Sequence, residues 1–261
     1  MNTNQTITIT YGDQAENHVG MQKLGEAVEH GFTLNDLFRA RKWFQEHDSS
    51  VELYDLNYPL QNINIIPDDE AYILIARNGV NCILEPDNDA DDFFEEQINL
   101  EWDTKAFMYG RVCNKNARHN LCYDEESQEP DYENGKGKII AFNNVPLLTK
   151  IKYAIPEIIG EVGADLVAEG NYYYDTNRCG IGYHGDTERR VVVGVRLGAT
   201  MPLAYQWFLK GKAIGENIMF QLNHGDIYFM SEKAVGSDWR TKSVCTLRHA
   251  AGASKYLKIK H

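Results

Sequence analysis

The spacing of apolar and polar positions changes along the chain, and the change divides it. TITITYG (6–12) alternates as a half-buried strand does. GMQKLGEAVEHG (20–31) follows with helical spacing and a terminal glycine stop. Thr33 is placed to cap a helix over LNDLFRARKWFQEH, with Leu34, Leu37, Phe38 and Phe44 near one face. VELYDL and AYILIA read as strands, and RNGV supplies a turn between AYILIA and CILE. KAFMYGRVC reads as a strand and CYDEESQEPDYENGKGKI as an exposed loop. VPLLTKIKYAIPEIIGEVG has helical spacing, with Pro156 kinking or splitting it. From about 166 short strand-like runs take over: LVAEGNYYY, GIGYHGD, RRVVVGVRLG, PLAYQWFL, NIMFQLN, DIYFMSE, SVCTLRHA and KYLKIK. Their close spacing, punctuated by Gly, Asn and Asp, predicts a sandwich or jelly roll.

The expected fold class is therefore α+β. A sandwich or jelly-roll core spans about 166–261, within a domain of 100–261. An N-terminal α/β extension covers 1–95 and is either a separate domain or a decorated edge. The acidic run EPDNDADDFFEEQ (85–97) is the candidate boundary, read as a solvated linker or loop.

Composition narrows the partners. A net charge of −12 disfavours broad electrostatic attachment to nucleic acid, while leaving room for a local basic groove. The five cysteines are scattered, with no CxxC pair, so neither a zinc site nor a disulfide framework is indicated. MNTNQTITIT has neither a basic start nor an apolar run, and no segment is long and apolar enough to span a membrane. A soluble, intracellular protein with no membrane partner is expected.

The sharpest chemical motif is His184-Gly185-Asp186. On a strand, residues i and i+2 share a side. His184 and Asp186 thus offer one cation an imidazole nitrogen and a carboxylate oxygen. Two histidines and one carboxylate on one face of an octahedral iron leave positions open for a bidentate 2-oxo acid and O₂.

The region from Asn171 to about Gly252 resembles the AlkB-like group of 2-oxoglutarate and iron(II) dioxygenases. The likeness rests on Asn171-Tyr172-Tyr173, on Ile181-Gly182-Tyr183-His184-Gly185-Asp186-Thr187-Glu188 and on Val193-Gly194-Val195-Arg196-Leu197-Gly198. His224-Gly225-Asp226 and Met230-Ser231-Glu232-Lys233-Ala234 continue it. The resemblance implies a double-stranded β-helix, with Fe(II), 2-oxoglutarate and O₂ as cofactor and co-substrates. It implies hydroxylation or oxidative dealkylation of a substrate, with a single-stranded nucleic acid or modified base as partner. A protein or small-molecule substrate, or a non-catalytic jelly-roll binding protein, are the alternatives.

The C-terminal end departs from the pattern. The second iron histidine of that group is missing after Trp239-Arg240, and Lys242 to Arg248 only partly match its arginine-rich final strand. Two registers compete. In the preferred one, His249 is the third metal ligand and Lys258 or Lys260 holds the far carboxylate of 2-oxoglutarate. In the other, Arg248 holds it. Adjacent strand residues face opposite ways, so both side chains enter one pocket only across a bulge. Asn171 and Tyr173 are expected beside the co-substrate. Arg118, His119 and Tyr123 are expected to line a substrate entrance. His224 is expected to be structural, and His18 to serve a cap or turn.

Overall fold

The computed structural model describes residues 4–259, so Lys260 lies outside the described residues. The elements run β1 (Thr6–Gly12), β2 (Gln14–Glu16), β3 (Lys23–Gly25), α1 (Leu34–Glu46), β4 (Val51–Asp55), α2 (Tyr58–Gln61), β5 (Tyr72–Ala76), α3 (Gly79–Leu84) and α4 (Ala90–Ile98). They continue with β6 (Lys105–Met108), β7 (Arg111–Asn114), β8 (His119–Asp124), β9 (Ile139–Ala141), α5 (Pro146–Ile159), β10 (Val167–Tyr173), β11 (Gly180–His184) and β12 (Val192–Gly198). β13 (Met201–Leu209), β14 (Lys212–Leu222), β15 (Ile227–Met230), α6 (Glu232–Val235) and β16 (Thr246–Gly252) complete the chain.

Strand parity explains how these elements layer. Ile7, Ile9 and Tyr11 of β1, Val193, Val195 and Leu197 of β12, and Ile227 and Phe229 of β15 all join one core. That core also holds Leu37 and Phe44 of α1, Phe93 of α4 and Ile151 and Ile155 of α5, so one face of the sheet is covered by helices. The opposite parity, including Tyr173, Val192, Tyr228 and Met230, packs against Met201, Leu203 and Tyr205 of β13 and Leu247 and Ala251 of β16. The central strands of the larger sheet thus pack apolar side chains on both faces, as a covered sheet requires. The protein is an α+β fold of mostly sheet with a few helices. An eight-stranded sheet runs β4-β5-β15-β12-β1-β10-β8-β9, and a four-stranded sheet runs β11-β16-β13-β14.

The N-terminal region is woven into the larger sheet. β1 lies antiparallel between β10 and β12, and β4 and β5 continue the sheet beyond β15. Residues 1–95 are therefore not an extension set apart from the region after 166. The acidic run is not a linker either. It forms α4, where Asp89 and Asp92 make a reciprocal capping box and Phe93 and Phe94 turn into the core. Acidic side chains at a helix N-terminus complement its dipole, so the same charges that suggested a loop favour the helix.

Other local readings also change. Residues 20–31 form no helix: Met21 and Leu24 are buried from a small β2–β3 hairpin. Gly25 takes φ +72, and a Cβ there would lie 2.2 Å from the Asp13 carbonyl oxygen. KAFMYGRVC is a hairpin, β6 and β7, turning through Tyr109 and Gly110 at φ 55 and 75. RNGV leads from β5 into α3 instead of a second strand. Cys122–Asp124, read as the start of the exposed loop, belong to strand β8 (His119–Asp124). α5 continues through Pro156 to Ile159. The described part of KYLKIK is turn, not strand.

Candidate metal centre

Between the two sheets, β11 and β16 bring three donor side chains together. His184 and His249 are register partners across the strand pair, and a bulge lies between Ile181 and His184. Asp186 follows β11, its N–H donating to the Val235 carbonyl at 3.1 Å. The residue between the two motif ligands must be glycine. A Cβ on Gly185 would lie 2.0 Å from the Gly236 carbonyl oxygen. The close approach of these two backbone segments is what turns Asp186 toward the histidines.

His184 Nε2 lies 3.5 Å and His249 Nε2 3.6 Å from the same oxygen, Asp186 Oδ1. Donor atoms of all three lie within 4.8 Å of one another. Two metal–ligand bonds of about 2.1 Å at right angles separate their donors by about 3 Å, so the cluster is close to the spacing that one ion needs. His184 Nδ1 donates to the Gly182 carbonyl at 2.8 Å, which leaves the Nε2 lone pair for an ion. Burial and the neighbouring His249 push the His184 imidazole down to about 3, so it is neutral at pH 7, the form that binds metal. Burial alone would raise the Asp186 carboxyl. Arg189 and then His249 outweigh it and hold the group ionised, well below the usual carboxylate range. Arg189 lies 3.6 Å from Asp186 Oδ2 and is itself held by Glu169 at 2.6 Å and Glu188 at 2.7 Å.

The cavity around this cluster extends to the inner face of the larger sheet, where it meets Asn171, Tyr173, Thr8, Arg196 and Tyr228. Asn171, Thr8 and Arg196 form a row across β10, β1 and β12, since Thr8 is the register partner of both others. Arg196 is 1% exposed, and its Nε and Nη1 have no hydrogen-bond partner among the described residues. The Thr8 hydroxyl, the Tyr205 hydroxyl and His249 Nδ1 are orphaned in the same way. A buried guanidinium without a partner is costly, and an anion in the cavity would relieve it.

Arg248 does not enter this cavity. It sits on the other face of β16, its guanidinium carbon 3.9 Å from the Phe208 ring centre. Lys258 lines the same outer groove as Arg248. Neither expected anchor reaches the metal cluster, because the parity that points His249 inward points Arg248 outward. Asn171 and Tyr173 line the cavity. Asn171 is already engaged: its Oδ1 accepts from Arg118 Nε at 2.5 Å and Asn120 Nδ2 at 2.8 Å, and its Nδ2 donates to Glu169.

Of the expected entrance residues, Arg118 lines the cavity. His119 does not; it stacks on Tyr174 with ring centres 4.8 Å apart. Tyr123 is fully buried in the helix-side core, donating to Gln97 Oε1 at 2.6 Å. The rim is made instead by Asn17 to Met21 together with Thr187, Trp239 and Arg240. His18 is therefore at the cavity mouth as well as in its turn, where its ring nitrogen lies 3.2 Å from the Val19 carbonyl. His224 is structural, its Nδ1 accepting the Gly198 N–H at 2.8 Å. Sequence reasoning missed Arg196. Its signal was one charge among the apolar residues of VVVGVRLG.

The fold and site define an α+β, two-sheet protein with a His-Asp-His cluster between its sheets. No protein-family model matches the sequence. Over 254 residues it is 50% identical to the uncharacterized protein R156 of Acanthamoeba polyphaga mimivirus, a match covering 97% of this chain and 98% of that protein. The chain belongs to the same family as that viral protein. No helix among the described residues is long and apolar enough to cross a membrane.

Proposed function

We propose that this chain is an Fe(II)- and 2-oxoglutarate-dependent dioxygenase, a divergent relative of the AlkB-like group. The observation that carries the reading is one cavity holding both a His184-Asp186-His249 cluster and the unpartnered, buried Arg196. Strand order supports a double-stranded β-helix: β10, β12 and β15 lie in the larger sheet, and β11, β13, β14 and β16 in the smaller. A jelly roll takes eight strands. These supply seven, and β1, seated between β10 and β12, supplies the eighth.

His184, Asp186 and His249 would hold the iron. Bound there with three positions open, it would couple decarboxylation of the 2-oxo acid to oxidation of a substrate. Arg196 would receive the far carboxylate of 2-oxoglutarate, with the Thr8 hydroxyl beside it. A guanidinium in a dry site gives a carboxylate a strong, charge-assisted hydrogen bond. Arg189 keeps Asp186 ionised and oriented without leaving its own bonds to Glu169 and Glu188.

The rim favours a small or peptide-like substrate over a long run of phosphates. Glu16 and Glu188 line the cavity with Lys23, Arg118 and Arg240, so an entering substrate meets charges of both signs.

The test is iron binding under anaerobic conditions, followed by succinate release from 2-oxoglutarate in air. The wild-type chain is expected to bind one Fe(II) and to release succinate slowly even without substrate. His184→Ala and Asp186→Ala should lose more than ~100-fold in iron affinity, since even outer-shell partners cost 10–100-fold. Wild-type iron binding or succinate release in either variant removes the metal assignment.

A further inference from the structure

Arg248 and Lys258 stand out in the sequence yet play no part in the metal centre. They meet on the outer face of the four-stranded sheet, behind the metal ligands. Tyr183 precedes His184 and Arg248 precedes His249, and both line a groove of about 600 Å³. Phe208, Lys255, Tyr256 and Lys258 share it.

Three features of this groove point to one kind of ligand. Among the described residues its lining carries three cations and no carboxylate side chain, in a chain whose net charge is −12. Apart from Ile259 its apolar side chains are aromatic, with the Tyr183 and Phe208 ring centres 6.3 Å apart. Arg248 is pre-positioned: its guanidinium lies over Phe208 at 3.9 Å and Trp239 at 5.1 Å, and its buried Nε has no partner among the described residues. A stacked, fixed guanidinium loses little entropy when it binds a phosphate. Aromatic rings accept a flat base with little regard to its identity.

We propose that this groove binds a single nucleoside phosphate, its base against the aromatic side chains and its phosphate on Arg248, Lys255 and Lys258. The volume is within the range of small-ligand sites. Three cations more than neutralise the charge of about −2 on one phosphate monoester. The site is separate from the metal cluster, and the proposal does not depend on the dioxygenase reading.

Calorimetric titration of the full chain with AMP at low salt, with EDTA present, tests it. AMP should bind. Adenosine and inorganic phosphate should each bind at least ~10-fold more weakly, because each supplies half of the contacts. Arg248→Gln should weaken AMP by about 10-fold or more, and so should Lys258→Gln, whose exposed side chain has no part in folding. Absence of AMP binding, or AMP binding untouched by both substitutions, overturns the proposal. So does inorganic phosphate binding as tightly as AMP. An oligothymidylate bound more tightly than AMP, with a salt dependence worth several phosphates, overturns it in favour of a strand-binding surface.

Discussion

Arg196 carries its charge on a strand whose neighbours Val195 and Leu197 face the helices, while it faces the other sheet. Burying an unpaired cation works against folding, so a residue placed this way implies a partner that arrives later. Substituting Arg196→Gln should raise the 2-oxoglutarate requirement about 10- to 100-fold, the cost of losing a hydrogen bond to a charged group. Iron affinity should stay near wild type, and Arg248→Gln should leave both unchanged. A 2-oxoglutarate dependence that shifts with Arg248 and not with Arg196 would restore the alternative register, in which Arg248 is the anchor. His184 and Asp186 stood out in the sequence by their spacing, and His249 was read as a third donor because one was needed. Asp186 nonetheless lies past the end of β11 and comes beside His184 only through the close approach of Gly185 and Gly236. Arg196 was not legible. Alternation separates the two faces of VVVGVRLG, but only the pairing of distant strands decides which face meets the cavity.

At the level of elements, local signals were readable where they act within a few residues. Thr33 caps α1 with Asp36 as its spacing indicates, and Leu37 and Phe44 lie on the buried side, while Phe38 is 47% exposed. Residues 20–31 misled because their apolar positions are buried by contacts from other segments, which no local period reports. The two small hairpins show how such contacts work. Lys115, just after β7, reaches Asn17, just after β2, donating to its Oδ1 at 2.6 Å. Burial lowers the Lys115 ammonium to about 8, and Asp103 only partly counters it. Between pH about 8 and the ordinary value of 10.5 the unfolded chain binds more protons than the folded one, so stability gained from this group rises with pH. Below about 8 both states are protonated and the burial penalty is present in full. Urea unfolding of the wild type and Lys115→Met at pH 7 and pH 10 should therefore show the wild type gaining on the variant at the higher pH. A constant difference between the two would mean that Lys115 titrates as it does in solvent.

For the molecule as a whole, composition and strand spacing were enough for an α+β, β-rich chain, but not for the course of the chain through its sheets. The pattern of TITITYG is that of a strand anywhere, and nothing local tells it to pair with segments that begin at Val167 and Val192. Since Ile7, Ile9 and Tyr11 are fully buried, removing residues 1–12 opens the middle of the larger sheet and exposes β10 and β12 to solvent. The truncated chain should lose its cooperative thermal transition and aggregate, in contrast to the loss of a peripheral domain. A soluble, cooperatively melting product would show that the sheet closes without β1. The same placement shapes the order of events at the ribosome. β1 is made long before its partners β10 and β12 and waits unpaired, both of its edges open, until those strands have emerged. Closure of the sheet around β1 is thus delayed by more than 150 residues of synthesis, and over that interval the nascent chain is a client for any holdase that shields an exposed β-edge.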